Sequence, residues 1–142
     1  MSSDLASPKI LIGSWSVRRK VIDYRGGGAL TFIGNAIITE HAFEEHGQFQ
    51  VAGNRLDSRR HYRLNMEDDF ASVLFPDGSH FVRLTCQPSQ SVSHSCGDDS
   101  YHGRFIVRGP DQWAEIWSVA GPRKRYRSIT LYRRYTPSTA VG

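Results

Sequence analysis

The sequence predicts an all-β fold, a closed antiparallel barrel of about eight to ten strands with little helix. Three observations predict it. Apolar and polar residues alternate with a period of two in many short stretches. Turn-forming Gly, Pro and Asp residues separate these stretches, and no stretch has a convincing helical period. Full closure into a barrel would leave no strand edge unpaired.

The length of 142 residues corresponds to one domain over 1–142, with flexible ends predicted at 1–8 and 136–142. Hydrophobic residues make up 39% of the chain and charged residues 23%, a balance that supports a buried core and excludes the disordered class. The formal net charge is +4, and part of it is local. We interpret the short basic runs as solvated strand edges and barrel ends; a nucleic-acid surface is the alternative. These runs are Arg18–Lys20, Arg59–Arg60 and Arg123–Arg125.

The N-terminal stretch does not resemble a secretory signal, because no basic segment precedes a long apolar run. No segment approaches the roughly 18 apolar residues of a membrane-spanning helix. Two cysteines, Cys86 and Cys96, are too few for a disulfide scaffold, and we expect them to stay reduced. We therefore predict a cytoplasmic monomer or homodimer without membrane association.

The first predicted strand is Lys9–Asp23, whose alternation places Trp15, Val17 and Val21 on one side. Three glycines then form a turn, and Gly34 within the next strand predicts a bend or bulge. The polar stretch Glu40–His46 is interpreted as a connection. The remaining predicted strands before the closing hairpin are Leu30–Glu40, Gly47–Gly53, Arg59–Met66, Val92–Cys96 and Ser100–Arg108, together with a hairpin over Phe70–Thr85.

The stretch Gln112–Tyr135 predicts the hairpin that closes the barrel. Four residues of one face alternate with smaller or polar neighbours before Gly121 and Pro122 break the run: Trp113, Glu115, Trp117 and Val119. A second alternating run follows this turn. We predict that the last strand pairs with the first, over Ile10–Ile22.

The pair Asp77-Gly78 predicts a two-residue hairpin loop of type I′. That loop would place Phe75 opposite His80 on the more apolar face and Phe81 on the other face. A titratable group on an apolar face is costly unless it is paired. We therefore predict that His80 lines an internal cavity; a histidine bonded to a neighbouring strand is the alternative.

A second polar group of residues is crowded into a short stretch near position 100. His94 and Cys96 lie two apart and, with His80, could offer zinc ligands, but the spacing matches no zinc motif, so no metal site is predicted. A Cys96 nucleophile with His94 as base is another alternative. Asp99 could orient His94 or simply form the turn.

The many aromatic rings of so small a barrel predict a cavity for a hydrophobic or aromatic ligand carrying an anionic or carbonyl group. The predicted ligand-binding residues are Trp15, Phe75, His94, Asp99, Trp117, Arg123, Lys124 and Tyr126. Arg123 and Lys124 would clamp the polar group, or form a solvated turn. One alternative is a cofactor-free cyclase or isomerase with His80, Tyr62 and Tyr101 as acid–base groups. A barrel that binds single-stranded nucleic acid is the second.

Gly13-Ser14-Trp15 resembles the G-x-W motif of lipocalin-type barrels. That resemblance implies that Arg133 or Arg134 of the last strand stacks over Trp15 and closes the barrel base. The whole-chain pattern GSW, FPDGSHF, HSCGDDSY and WSVAGPRKRY resembles an uncharacterised bacterial and fungal family, a domain of unknown function. The chain is also similar to nitrobindin-type haem barrels, whose haem histidine comes late, whereas here none follows His102. No cofactor is therefore predicted, with haem and zinc left as alternatives.

Overall fold

The structure, a computed structural model, describes residues 4–137 and contains ten antiparallel strands in one sheet that curls into a nearly closed barrel. The predicted all-β barrel is confirmed. A short 3-10 helix, Pro8–Leu11, precedes the first strand, and no helix in the described part of the chain is long and apolar enough to cross a membrane. The strands are β1 Gly13–Asp23, β2 Gly28–Ile38, β3 Ala42–Val51, β4 Asn54–Met66, β5 Phe70–Leu74, β6 His80–Thr85, β7 Ser89–Cys96, β8 Asp99–Val107, β9 Gln112–Ala120 and β10 Arg125–Arg134.

The predicted pairing of the first and last strands is confirmed, since β1 and β10 are neighbours in the order β6-β5-β4-β3-β2-β1-β10-β9-β8-β7. Within residues 4–137 the ladder is interrupted between β6 and β7. Side-chain and terminal contacts partly cover this gap. The Gln90 amide accepts from Thr85 N at 2.8 Å and donates to Thr85 O at 3.1 Å. Leu5 N donates to Cys86 O at 2.6 Å, which holds the described part of the N-terminal segment to the barrel.

Strands β3 and β4 are longer than the sequence predicted. The stretch Glu40–His46 was expected to be a connection, which is wrong, because most of it is strand. The two strands turn at Ala52 and Gly53, both with positive φ, and pair from Val51 with Asn54 onward. Polar residues dominate this hairpin because alternate positions face the solvent.

The bulge expected at Gly34 is also wrong, since the register of β2 against β3 runs through this position without a shift. Gly34 lies directly opposite Gly47, and a Cβ on either glycine would collide with the backbone of the facing strand. The Phe32 ring lies against both glycines from the barrel interior. These glycines are therefore explained by the close approach of the two strands.

The turn after β5 has a three-residue loop, Pro76 to Gly78, instead of the predicted two-residue loop. Phe75 N donates to Ser79 O, and Gly78 N donates to Phe75 O, both at 2.8 Å. Gly78 has a φ of 90°, which suits the left-handed position that ends such a loop. The Asp77 carboxylate accepts from Ser79 N at 2.8 Å and stabilises the turn.

This loop shifts the register, so His80 points to the outer surface and not, as predicted, to the interior. Val73 pairs with Val82 as expected, but a bulge follows, and Leu74 pairs with His80. Phe81 and Val82 are consequently both buried, while His80 is exposed. The predictions that His80 faces inward and Phe81 outward are therefore wrong, because Asp77-Gly78 does not reveal the bulge.

The base of the barrel is closed by Trp15, which is 1% exposed and donates from Nε1 to Leu11 O at 2.9 Å. The Arg134 guanidinium lies 4.3 Å from the centre of the Trp15 ring. It also donates to Ile12 O at 2.8 Å and to Ile10 O at 2.6 Å. The stacking implied by the G-x-W resemblance is confirmed, with Arg134 as the partner.

Candidate functional site

Halfway along the barrel axis, charged and polar side chains meet inside the protein. We call this group the charged cluster; it comprises Arg19, Glu45, Arg60, Glu115, Thr130 and Tyr132. Arg19 is 8% exposed and makes a two-point ion pair with Glu45, Nη1 to Oε2 at 3.0 Å and Nη2 to Oε1 at 2.6 Å. Its Nε donates to the Thr130 hydroxyl at 2.8 Å.

Arg60 forms the other half of the charged cluster. Its Nη2 lies 2.8 Å from Glu115 Oε1 and 2.9 Å from the Tyr132 hydroxyl. Its Nε lies 3.2 Å from Glu45 Oε2, but the N–H is not aligned with that oxygen and has no hydrogen-bond partner among the described residues. The cluster thus contains two guanidinium groups and two carboxyl groups, whose formal charges cancel.

Strand register brings the cluster together. Arg19 pairs with Thr130 across β1 and β10, and Thr130 pairs with Glu115 across β10 and β9. Glu45 pairs with Arg60 across β3 and β4. Residues that pair across neighbouring strands on one side of a sheet are close enough for contact. Strand pairing therefore brings Arg19, Thr130 and Glu115 together and places Glu45 beside Arg60.

Small residues let the two groups join. Arg19 on β1 reaches Glu45 on β3 over the intervening β2, where Arg19 pairs with Phe32, Glu45 pairs with Ala36, and Gly34 lies between these two positions. The small size of Gly34 and Ala36 leaves space for the ion pair. The Phe32 ring borders that space, with the Arg19 guanidinium 5.0 Å from its centre.

Burial of Tyr132 gives the cluster a pH dependence. Its ring stacks on Trp113 at 3.7 Å, and burial raises the pKa of Tyr132 well above its ordinary value, with the Glu115 carboxylate adding to the effect. The neutral form is therefore favoured in the folded state. Stability from this group is fully present below the unfolded tyrosine pKa of about 10 and is lost as the pH rises toward the raised pKa.

We expect the free energy of unfolding to fall more steeply above pH 10 in the wild type than in Tyr132→Phe, by up to about 1.4 kcal/mol per pH unit. Urea unfolding at several alkaline pH values measures both slopes. Tyr24→Phe, at a tyrosine that is 58% exposed, is the matched control and should keep the wild-type slope. Equal slopes for Tyr132→Phe and the wild type would contradict the assignment.

Two cavities lie on either side of a layer of aromatic rings. We call this the aromatic layer; Tyr62, Phe81 and Trp117 stack in it with ring centres 5.4 Å and 5.3 Å apart. Toward the base lies an inner cavity of about 60 Å³, bordered mainly by apolar side chains and by Trp113, whose buried Nε1 has no partner among the described residues. Toward the other end lies a mouth cavity of about 380 Å³. The layer and Arg60 border both.

The mouth cavity has aromatic and aliphatic walls and a polar floor. Its walls include Phe49, Tyr101, Tyr126, Val21, Leu30 and Val119. Arg19 and Arg60 lie on its floor together with Ser128. A cavity of this volume falls in the range of about 300–1,000 Å³ that is usual for organic ligands.

The rim of the mouth contains a small polar group. Lys124 Nζ lies 3.5 Å from Asp99 Oδ2 and donates to the Tyr101 hydroxyl at 3.4 Å. The His94 ring is half-buried, with its centre 6.2 Å from that of Tyr101 and 5.4 Å from that of Phe75. These five residues were all predicted site residues, and the fold gathers them at one end of the barrel.

Most of the predicted site residues lie at the mouth end of the barrel, and three do not border the mouth cavity or its rim. Tyr62, Tyr101, Trp117 and Tyr126 border the mouth cavity. The other four rim residues form a chain of contacts that starts at Tyr101. Three others lie elsewhere. Trp15 closes the opposite end, His80 is exposed on the outer surface, and Arg123 is an exposed turn residue. The catalytic roles of Tyr62 and Tyr101 stay predictions.

Sequence reasoning missed the charged cluster although its signals were visible. Arg19 continues the inward phase of Trp15, Val17 and Val21, and Glu115 lies between two inward tryptophans. A charged residue in an apolar phase indicates an internal partner of opposite charge. The interpretation of every basic run as solvent-facing is wrong for Arg19 and for Arg60.

Within residues 4–137, no group of three or more His, Cys, Asp or Glu side chains is arranged to hold a metal ion. Cys86 is half-buried, Cys96 is exposed, and both are free thiols. The predicted cytoplasmic location and the oligomeric state stay predictions.

Comparison of folds finds two solved structures that are similar to this chain over most of its length. An S-type phycobiliprotein lyase, CPES from Guillardia theta, has a TM-score of 0.61 at 10% identity, over 92% of this chain and 91% of that one. A protein of unknown function from the DUF3598 family of Nostoc punctiforme has a TM-score of 0.60 at 10% identity, over 94% of this chain. The match spans about half, 51%, of that longer chain.

At such identities the likeness shows the fold alone. A search of curated proteins finds no match. The family comparison is more specific, because a family of unknown function, DUF6314, matches residues 11–134, which is nearly the whole barrel. This confirms the resemblance to an uncharacterised family. The chain belongs to the family of unknown function DUF6314.

Proposed function

We propose that this protein binds a small aromatic ligand with a neutral carbonyl group in the mouth cavity. The observation that carries the proposal is the cavity itself, about 380 Å³ with ring-lined walls above the guanidinium groups of Arg19 and Arg60. Ligand sites typically combine apolar walls with a few placed polar groups. The lipocalin-like barrel fold supports it, since such barrels are large enough to hold one small ligand.

The charges of the floor favour a carbonyl over an anion. Arg19 and Arg60 already face two carboxylates, Glu45 and Glu115, so a ligand anion would add an uncompensated negative charge in a largely buried place. A carbonyl oxygen adds no net charge. Arg60 retains a buried Nε–H without a partner among the described residues, and an unmet buried donor is costly.

The test uses two environment-sensitive naphthalene dyes of similar size. Prodan is a neutral aryl ketone, and anilinonaphthalene sulfonate is an anion. Fluorescence titration should show prodan binding at least about tenfold more tightly, which corresponds to roughly 1.4 kcal/mol. Tighter binding of the sulfonate would contradict the carbonyl assignment and favour a ligand anion.

A blocking substitution locates the site. Val21 borders the mouth cavity from β1, so Val21→Trp should fill it and weaken prodan binding by about tenfold or more. The matched control is Lys20→Trp, one residue along the same strand but facing the solvent, which should leave affinity unchanged. Unchanged affinity in Val21→Trp would place the bound dye outside the mouth cavity. Native mass spectrometry of the purified protein would identify any carried ligand.

A further inference from the structure

Five adjacent strands, β2, β1, β10, β9 and β8, present an outer surface whose charged side chains are all positive, and one carboxylate, Asp111 of the connection before β9, adjoins Arg108 and Arg133 at its end. We call this surface the basic face. Its cations are Arg18, Lys20, Arg104, Arg108, Arg125, Arg127 and Arg133, with Arg108 directly after β8. No Asp or Glu side chain points outward from these strands within residues 4–137, because Asp23, Asp99 and Glu115 occupy inward positions. Seven cations on one face exceed the formal net charge of +4 of the entire chain.

Aliphatic side chains run through the middle of the basic face. Leu131 is 58% exposed and pairs with Ala114, while Ile129 is 40% exposed and pairs with Ile116. Ile106 continues the stripe on β8 beside Ala114. Exposed aliphatic residues that adjoin one another across strands are typical of a contact surface, whereas isolated ones are not.

This stripe lines a depression, which we call the outer groove, of about 660 Å³. Arg18, Arg108 and Arg133 border it, so the apolar floor is flanked by guanidinium groups. The groove is separate from the ligand cavities, because the sheet lies between them. It therefore presents an apolar floor and a cationic border to anything that docks from outside.

The groove's chemistry decides between possible occupants. A second copy of this face would bring seven more cations against the first seven, which is repulsive. No Phe, Tyr or Trp points outward from these five strands in the described part of the chain. Base stacking by single-stranded nucleic acid and anchoring at a membrane interface both use such rings. A concave groove also fits a convex partner better than a flat bilayer.

We propose that the outer groove binds an acidic amphipathic helix of a partner protein. The apolar stripe of such a helix would lie on Leu131, Ile129 and Ile116, as in other helix-in-groove complexes. Its carboxylates would face the guanidinium groups at the border, which complements the charge and speeds association at low salt. The proposal is independent of the ligand in the barrel.

The test uses the full-length protein and a designed, fluorescently labelled helical peptide with leucine along one stripe and glutamate elsewhere. A scrambled peptide of the same composition has the same charge but no apolar stripe. Fluorescence anisotropy should show the amphipathic peptide binding at least about tenfold more tightly, with an affinity that falls as salt increases. Equal affinities, or no binding of the amphipathic peptide, would overturn the proposal.

Matched variants locate the contact. Leu131→Asp should weaken binding of the amphipathic peptide by about tenfold, whereas Leu56→Asp, at a leucine of 56% exposure on β4, should not. If Leu131→Asp does not fold, Arg18→Gln with Arg133→Gln tests the same groove, against Arg55→Gln with Arg59→Gln on β4. Equal loss in target and control variants would overturn the site. Tighter binding to phosphatidylglycerol-containing vesicles or to oligothymidylate would reassign the face to a membrane or to nucleic acid.

Discussion

Replacing Arg19 with methionine is expected to lower the free energy of unfolding by about 3–5 kcal/mol, the usual cost of removing one partner of a buried ion pair. Glu45 is 3% exposed and would lose both of its bonds to Arg19. The charged cluster would then hold two carboxylates and one guanidinium in a buried place. Burial itself works against the charge on Arg19, but the hydrogen bond and ion pair with Glu45 prevail and raise the pKa of Arg19 above its ordinary value. Urea unfolding at neutral pH measures the loss.

Two further variants separate loss of charge balance from loss of packing. Arg18→Met removes the neighbouring, solvent-facing arginine and should change stability by no more than about 0.5 kcal/mol. The double variant Arg19→Met with Glu45→Leu removes both charges and should recover much of the loss, because well-packed apolar side chains can replace a buried pair. A cost for Arg19→Met as small as that for Arg18→Met would show that the cluster is not a closed ionic network.

Replacing Phe81 with alanine should lower the free energy of unfolding by about 3–5 kcal/mol and open the aromatic layer. Phe81 is 8% exposed and lies between Tyr62 and Trp117, with Phe75 4.7 Å away between ring centres. It borders both the inner and the mouth cavity, so its removal joins them. We expect lower stability by urea unfolding together with binding of longer ring systems than the wild type admits.

The control for this experiment is Phe70→Ala, at a half-buried ring on the outer side of β5 that lies 3.9 Å from the Arg83 guanidinium. Phe70→Ala should lower the free energy of unfolding by less than Phe81→Ala does, and it should leave the selectivity for ligand length unchanged. If Phe81→Ala does not fold, Phe81→Leu offers a smaller opening with less loss of packing. Unchanged selectivity in a folded Phe81 variant would mean that the aromatic layer does not limit the depth of the pocket.

Local patterns predicted the fold well, for a simple reason. Side chains alternate between the two faces of a strand, and this alternation does not depend on which strand lies beside it. The residues of β1 and β9 that point inward could therefore be identified from the sequence. Trp15, Val17, Trp113 and Trp117 are all buried as that phase requires. The pairing of the first strand with the last was also predicted correctly, although it joins the two halves of the sheet and the edge strands are β6 and β7.

The wrong prediction for His80 shows that local sequence patterns do not determine strand register. Asp77-Gly78 is compatible with loops of two or three residues, and only the packing of Phe81 into the aromatic layer selects the bulged register. One extra residue moves a side chain to the other face. The predicted cavity histidine therefore became a surface residue, while Phe81 took the interior position.

By itself, the sequence determined the class of fold, the inward phase of most strands and the aromatic character of the interior, because these depend on neighbours along the chain. Only the tertiary structure decided which charges meet inside. Arg19 and Glu45 are 26 residues apart, and Arg19 and Thr130 are 111 apart, so their contacts exist only once the strands are paired in register. The same pairing divides the interior into two cavities and gathers the cations of the basic face, because the position of each side chain around the barrel follows from strand order, which no single strand encodes.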